Sequence, residues 1–178
     1  DGEDKLLTIM ADGTYTLSSF DLSNHFDDHM IRIEKYNPQQ VYNVIHQDGK
    51  SGVYYVKRFL FEDAPIGKRI SVINDEVGSK LILITPIASP LVRVNVLKGK
   101  SQTPDSLEQN LADIVDIKGM KAQGNRLTPH EVTNITLLTQ EELLTPLGEI
   151  KSGENDVMAT EATVVEIDTK SEMSSTTQ

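Results

Sequence analysis

Short runs of β-branched and aliphatic residues, each closed by a turn signal, recur along the chain. The first two runs, residues 6–10 and 14–17, lie on either side of Asp12-Gly13. An Asp-Gly pair between two β-prone runs indicates a tight hairpin, because glycine tolerates the positive φ that such a turn requires. Residues 30–33 supply a third short strand before Asn37-Pro38 interrupts the pattern.

The same pattern returns after 36 residues. Residues 41–45 and 53–59 lie on either side of Asp48-Gly49, and Ile45 takes the place of Ile9. A third unit is predicted from the strands 81–84 and 91–96, which are joined by a turn at residues 86–90. Another short strand, residues 69–73, lies between the second and third units.

A period of about 36 to 40 residues with several strands in each unit is typical of propeller blades. The sequence therefore predicts an all-β fold of propeller-like blades. Only about three units fit the chain, fewer than the four to eight blades of a closed ring, so a partial ring is expected. A β-sandwich or barrel with coincidental spacing remains the alternative.

The rest of the chain divides into a polar connector and a tail. Residues 102–113 are predicted to form the connector, and strand character resumes at 114–117. From residue 151 onward Ser, Thr, Glu and Asp dominate, a composition typical of disorder, although 163–167 could pair as an edge strand. We expect blades over residues 1–140 and an acidic, flexible tail over 141–178.

Charge is distributed unevenly. The chain has a net charge of −10, yet residues 50–100 hold nine basic and four acidic residues. Residues 1–49 and 141–178 are strongly acidic, with net charges of −6 and −7. Such asymmetry favours a local anion-binding surface, although ordinary surface variation is an equally good explanation of charge alone.

Several classes of chemistry lack support in the sequence. The chain has no cysteine, which excludes disulfides and thiolate metal sites and is compatible with a reducing cytoplasm. It has no apolar run of membrane-spanning length and no signal-peptide pattern, and it reads as a piece of a longer protein. The cluster at residues 25–29 has two His and two Asp but lacks a distant ligand partner, so we predict no metal site. No catalytic constellation is present.

The segment 117–128 carries the most specific motif, in which Gly119 and Gly124 punctuate three cations, Lys118, Lys121 and Arg126. It resembles the G-x-K-A-x-G-x-R-L loop of the C-terminal domain of DNA gyrase and topoisomerase IV A subunits. Residues 2–25 and 54–62 are similar to the same family, particularly its Bacteroidetes-type members. The gyrase-defining box Q-R-R-G-G-K-G does not occur, which favours a topoisomerase IV-like subunit.

The resemblance implies a β-pinwheel, a ring of four-stranded blades whose basic rim bends duplex DNA. It implies a cytoplasmic, nucleoid-associated bacterial protein whose partners are double-stranded DNA, the remainder of the A subunit and the ATPase B subunit. The family's catalytic tyrosine region is absent from this chain. The fragment itself is therefore expected to have no cofactor and no enzymatic activity, because ATP and Mg²⁺ act on other regions of the parent isomerase.

Cations are the candidate DNA-binding residues, since lysine and arginine neutralise phosphates without reading bases. We predict primary contacts from Lys118, Lys121 and Arg126, with the glycines 119 and 124 allowing close approach. Secondary contacts are predicted from Arg58, Lys68 and Arg69, and weaker ones from Lys50 and Arg93. Adjacent residues in a strand face opposite sides, so at most one of Lys57 and Arg58 can reach a shared rim.

A second function stays open at this point. The net charge of −10 is also compatible with an acidic propeller-type module that binds protein as a scaffold and does not bind DNA.

Overall fold

The computed structural model describes residues 4–21 and 28–139, and the predicted acidic tail lies outside them. Within these residues the chain is all-β, with three open antiparallel sheets and one short 3-10 turn at Leu111–Asp113. The strands are β1 (Lys5–Met10), β2 (Thr14–Ser19), β3 (Met30–Lys35), β4 (Val41–Gln47), β5 (Tyr54–Leu60), β6 (Ile70–Ser71), β7 (Lys80–Thr85), β8 (Leu91–Lys98), β9 (Thr103–Asn110), β10 (Asn125–Arg126) and β11 (Glu131–Leu137).

Each sheet is built on the same three-strand unit, in which a hairpin is followed by a strand that returns to pair with the hairpin's first strand. The three units are β1-β2-β3, β4-β5-β7 and β8-β9-β11. Every returning strand has a bulge at the same point, where one residue lacks a partner. The bulges lie opposite the steps Ile9/Met10, Ile45/His46 and Asn95/Val96.

These bulges give the true spacing of the repeat. Ile9, Ile45 and Asn95 occupy equivalent positions, so the units start 36 and then 50 residues apart. The 36-residue step between the first two units is confirmed, and the expectation of a constant period is wrong. The second step is longer because the connector between β5 and β7 is longer than the one between β2 and β3. This connector forms β6 on the neighbouring sheet before the chain returns as β7.

The predicted third hairpin is wrong, as is the predicted connector. Strands β7 and β8 belong to different sheets, and β8 pairs with β9, which was assigned to the polar connector at 102–113. β9 contains Pro104 and Asp105, residue types depleted in strands, and forms because β8 supplies a full row of pairing groups. Residues 114–117 form no strand and make only an isolated bridge between Ile117 and Arg58.

Two short strands cross from one unit to the sheet of the preceding unit. β6 follows β5 in the chain but pairs with β2, and β10 follows β9 but pairs with β5. The strand orders are therefore β3-β1-β2-β6 and β10-β5-β4-β7, whereas the third sheet has the order β11-β8-β9 within the described residues. We call residues 64–73 and 117–128, which contain β6 and β10, the first and second exchange segments.

Apolar side chains join neighbouring sheets through two buried clusters. One cluster combines Leu7, Leu17 and Phe59 with Val72 and Met120, which belong to the two exchange segments. The other is formed by Ile45, Val56, Leu111 and Leu127 together with the inward row of β8, Val92, Val94 and Val96. Because burial of such a side chain is worth about 1.5–3 kcal/mol, the apolar residues of each exchange segment anchor it firmly to the sheets.

Candidate nucleic-acid interface

The second exchange segment follows the outer edge of β5. The backbone N–H of Lys118 donates to the carbonyl of Arg58 at 2.9 Å, and that of Leu127 donates to Tyr54 at 2.8 Å. Between these bonds, Asn125 and Arg126 of β10 pair with Val56 and Tyr55. The loop that contains Gly119 and Gly124 is therefore fixed at both ends to β5.

Of the two motif glycines, only Gly124 is required by this geometry. Its φ is +94°, and a Cβ atom at this position would lie 2.1 Å from the carbonyl oxygen of Val56. Gly119 has no positive φ, and a Cβ atom there would meet nothing within 4 Å. Gly124 therefore allows the loop to approach β5, which differs from the predicted approach to an external partner.

The three motif cations are all exposed. Within residues 4–21 and 28–139, none of Lys118, Lys121 and Arg126 is in an ion pair with a carboxylate. The Nε of Arg126 donates to the carbonyl of Thr128 at 3.1 Å. Lys118 lies opposite Arg58 and Arg126 lies opposite Tyr55. Since Arg58 and Tyr55 are three residues apart in β5, the two cations are separated by about 10 Å of backbone along the strand.

The first exchange segment lies on β2 in the same way. The N–H of Gly67 donates to Leu17 at 2.8 Å, and that of Val72 donates to Gly13 at 2.8 Å. By register, Leu17 and Gly13 are the counterparts of Arg58 and Tyr54. Both exchange segments therefore occupy the same outer edge of successive sheets.

The predicted cations Lys68 and Arg69 lie on this first segment and are exposed. The guanidinium of Arg69 lies 3.9 Å from the carboxylate of Asp12, at the long limit for an ion pair between two exposed side chains. An ion pair of that kind contributes little to stability.

Arg58 is half-buried and uses its side chain inside the fold, so we leave it out of the proposed surface. Its Nε donates to the side chain of Asn43 at 2.9 Å, and one terminal nitrogen lies 3.5 Å and 3.4 Å from the carbonyls of Ala112 and Val115. Asn43 is fully buried, so the guanidinium satisfies polar groups inside the fold.

The two weaker candidates also lie elsewhere. Arg93 is paired with Glu108 across β8 and β9 at 2.8 Å. Lys50 is exposed in the turn between β4 and β5. Within the described residues no group of three or more His, Asp or Glu side chains could hold a metal ion. Most of the cluster at 25–29 lies outside those residues.

Lys57 was not singled out from the sequence, and the structure gives it a central place. It is 4% exposed, and its ammonium donates to the carbonyls of Val72 and Met120. The charge also lies 5.3 Å from the centre of the Phe59 ring. Burial lowers the pKa of Lys57 to about 8. Nothing in the local sequence signals this position, because the two carbonyls come from segments 15 and 63 residues away.

A cavity of about 420 Å³ opens beside Lys57, and both exchange segments contribute to its wall. His46 also lines the cavity, is 1% exposed and donates through Nε2 to the carbonyl of Gln123 at 3.0 Å. Burial lowers the pKa of His46, which keeps its imidazole neutral at pH 7. The remaining wall includes Ser71, Asn74, Asp75 and Lys121.

Comparison with known proteins gives one family. The family model described as "Topoisomerase C-terminal domain, Bacteroidota" matches residues 1–140. No curated protein and no solved structure matches the chain. Among the described residues, no helix is long and apolar enough to cross a membrane.

Proposed function

Since the chain belongs to the family of topoisomerase C-terminal domains from Bacteroidota, we propose that it holds duplex DNA along the outer edges of its sheets. The contacts are made to phosphates by the two exchange segments, through Lys118, Lys121 and Arg126 on one and Lys68 and Arg69 on the other. Such contacts fix the position of a duplex without reading its sequence.

The distribution of charge on the exchange segments carries this proposal. Together the segments contain five cations and no carboxylate, in a chain whose net charge is −10. All five cations are exposed, and the segments occupy equivalent edges of neighbouring sheets. A duplex that contacts both segments meets these five cations, with the carboxylate of Asp12 beside Arg69.

In this proposal the repeated units are blades of a β-pinwheel, and the duplex bends around their outer edges. Smooth bending of a 20–30 base-pair site costs on the order of 1–6 kcal/mol, so several phosphate contacts must act together. The exchange of short strands supports the blade interpretation, because it couples each unit to the one before it.

The proposed role is to support strand passage by a type II topoisomerase A subunit in the bacterial cytoplasm. The chain supplies no catalytic group in this scheme. DNA cleavage belongs to the remainder of the A subunit, and ATP hydrolysis with Mg²⁺ belongs to the partner B subunit. The parent in this proposal is the A subunit of DNA gyrase or topoisomerase IV.

Two matched double variants test the proposal by fluorescence anisotropy with a labelled 30-base-pair duplex. Lys118→Gln with Lys121→Gln removes two charges from an exchange segment. Lys80→Gln with Lys100→Gln removes two exposed charges from β7, at the far edge of the second sheet, and from the β8–β9 turn. We expect at least a tenfold loss of affinity in the first variant and less than about threefold in the second.

Equal losses in the two variants would show that net charge alone matters and would contradict the proposed surface. An absence of binding by the native chain at about 50 mM salt would favour the acidic scaffold alternative.

A further inference from the structure

The buried side chain of Lys57 donates hydrogen bonds to the backbones of both exchange segments. Its ammonium donates to the carbonyl of Val72 in the first segment and, at 2.6 Å, to that of Met120 in the second. The N–H of Val72 bonds to the β2 edge, and Met120 lies between Lys118 and Lys121. One buried amine therefore links the two segments that carry the proposed DNA contacts.

A charge at this position carries an energetic cost that requires an explanation. Lys57 is buried, and no carboxylate among the described residues forms an ion pair with it. Removing an ammonium from water is unfavourable unless its hydrogen bonds compensate. The repeat itself does not need a cation here, because Thr16 and Leu107 occupy the equivalent positions of the first and third units.

From this geometry we propose that Lys57 is a positioning residue for DNA binding. Its ammonium holds both exchange segments in their binding conformation, and loss of its proton loosens them and weakens the affinity for duplex DNA. This inference deepens the proposed function and rests on it.

The surroundings of Lys57 place this titration in an accessible range. Burial lowers its pKa to about 8, so the amine loses its proton between about pH 7 and 9. The other titratable groups that line its cavity are His46 from β4, Asp75 after β6 and Lys121 from the second segment. His46, with its lowered pKa, is already neutral across this interval and contributes no step there.

The first test measures the affinity for a 30-base-pair duplex from pH 6.5 to 9.5 at constant ionic strength. Charged hydrogen bonds are roughly twice as strong as neutral ones, so we expect native affinity to fall about fivefold through pH 8. Lys57→Met should bind at the lower level at every pH, and the control Lys80→Met should keep the step. A step that persists in Lys57→Met would overturn the proposal.

The second test needs no DNA. Amide hydrogen exchange at pH 7 reports the edge bonds made by the N–H groups of Gly67, Val72, Lys118 and Leu127. We expect faster exchange at these amides in Lys57→Met than in the native chain or Lys80→Met. Unchanged exchange would show that Lys57 does not hold the segments and would overturn the inference.

Lys57→Gln separates positioning from a failure to fold, because its amide keeps two N–H donors without a charge. We expect it to slow exchange at these amides relative to Lys57→Met and to remove the pH step in affinity. If the exchange results hold while the native chain fails to bind DNA, the proposed function is wrong and the positioning role stands.

Discussion

The backbone N–H of Lys118 donates to the carbonyl oxygen of Arg58 at 2.9 Å. This bond joins two residues that the sequence marks as candidate DNA contacts, and it gives them different tasks. Arg58 turns its guanidinium into the fold and offers its carbonyl as an anchor, while the side chain of Lys118 stays exposed. The phosphate contacts that we propose therefore come from the exposed cations of the exchange segments.

Replacing Gly124 should damage the fold, whereas replacing Gly119 should not. An alanine at 124 would need a positive φ and would force its Cβ against the carbonyl of Val56, so we expect Gly124→Ala to cost about 2 kcal/mol or more. Gly119→Ala has open space and an ordinary φ, and it should change stability by less than about 0.5 kcal/mol. Urea denaturation measures both, and equal effects would contradict the assigned role of Gly124.

Arg58 should act on stability and leave the electrostatics of DNA binding unchanged. Arg58→Ala removes the donor to the buried side chain of Asn43, so we expect a loss of about 1–3 kcal/mol. The dependence of DNA affinity on salt should remain native, because Arg58 makes no phosphate contact in our account. Urea denaturation measures the loss of stability, and a salt titration measures the dependence of DNA affinity on salt. A flatter salt dependence in Arg58→Ala would show that Arg58 contacts a phosphate.

Lys57 should make the folded state more stable at alkaline pH. Its pKa is about 8 in the folded chain and 10.5 as a model value, so the unfolded state binds more protons between these limits. Stability therefore rises as pH increases from about 8 towards 10.5, opposite to the predicted fall in DNA affinity. Denaturation at pH 7.5 and 9.5 should show this gain in the native chain and a smaller gain in Lys57→Met. An identical gain in both would contradict the pKa shift.

The aromatic cluster between the first two sheets should dominate core stability. The ring of Phe61 lies 4.7–5.0 Å from the rings of Tyr15, Tyr42 and Phe59. Phe61→Ala should cost about 3–5 kcal/mol, because it leaves a cavity among rings that cannot collapse. Phe20→Ala is the control, since this side chain is 56% exposed and should tolerate truncation. Thermal melts of the two variants check this, and similar melting points would contradict it.

Local signals explain the parts of the fold that the sequence predicts. The Asp12-Gly13 turn, the alternation in β8 and the 36-residue step all depend on neighbouring residues, and all are present in the structure. At the second Asp-Gly pair the positive φ belongs to Gly52 and not to Gly49. The sequence does not predict β9 as a strand, because its residues are mostly polar and exposed and its pairing depends on β8. The strand exchange is not predicted either, because β10 and β5 pair although about seventy residues separate them in the sequence.

In the candidate site, too, residues in a local motif are predicted from the sequence, and residues placed by distant contacts are not. A motif identifies Lys118, Lys121 and Arg126 without any structure, since glycine and cation types in a fixed order are visible in sequence. The burial of Lys57 and the inward turn of Arg58 are set by carbonyl groups from distant segments. Such contacts have no local pattern. Strand alternation predicts that at most one of the two neighbours reaches the surface, but not that the guanidinium of Arg58 also turns inward.

The salt dependence of DNA binding reports how many phosphates the exchange segments contact. Each phosphate contact contributes a slope of about −0.9 to a plot of log affinity against log salt, so five cations predict about −4 to −5 for the native chain. Lys118→Gln with Lys121→Gln should reduce the slope by about two, and Lys80→Gln with Lys100→Gln should leave it unchanged. A native slope near zero, or an equal reduction in both variants, would contradict phosphate binding by the exchange segments.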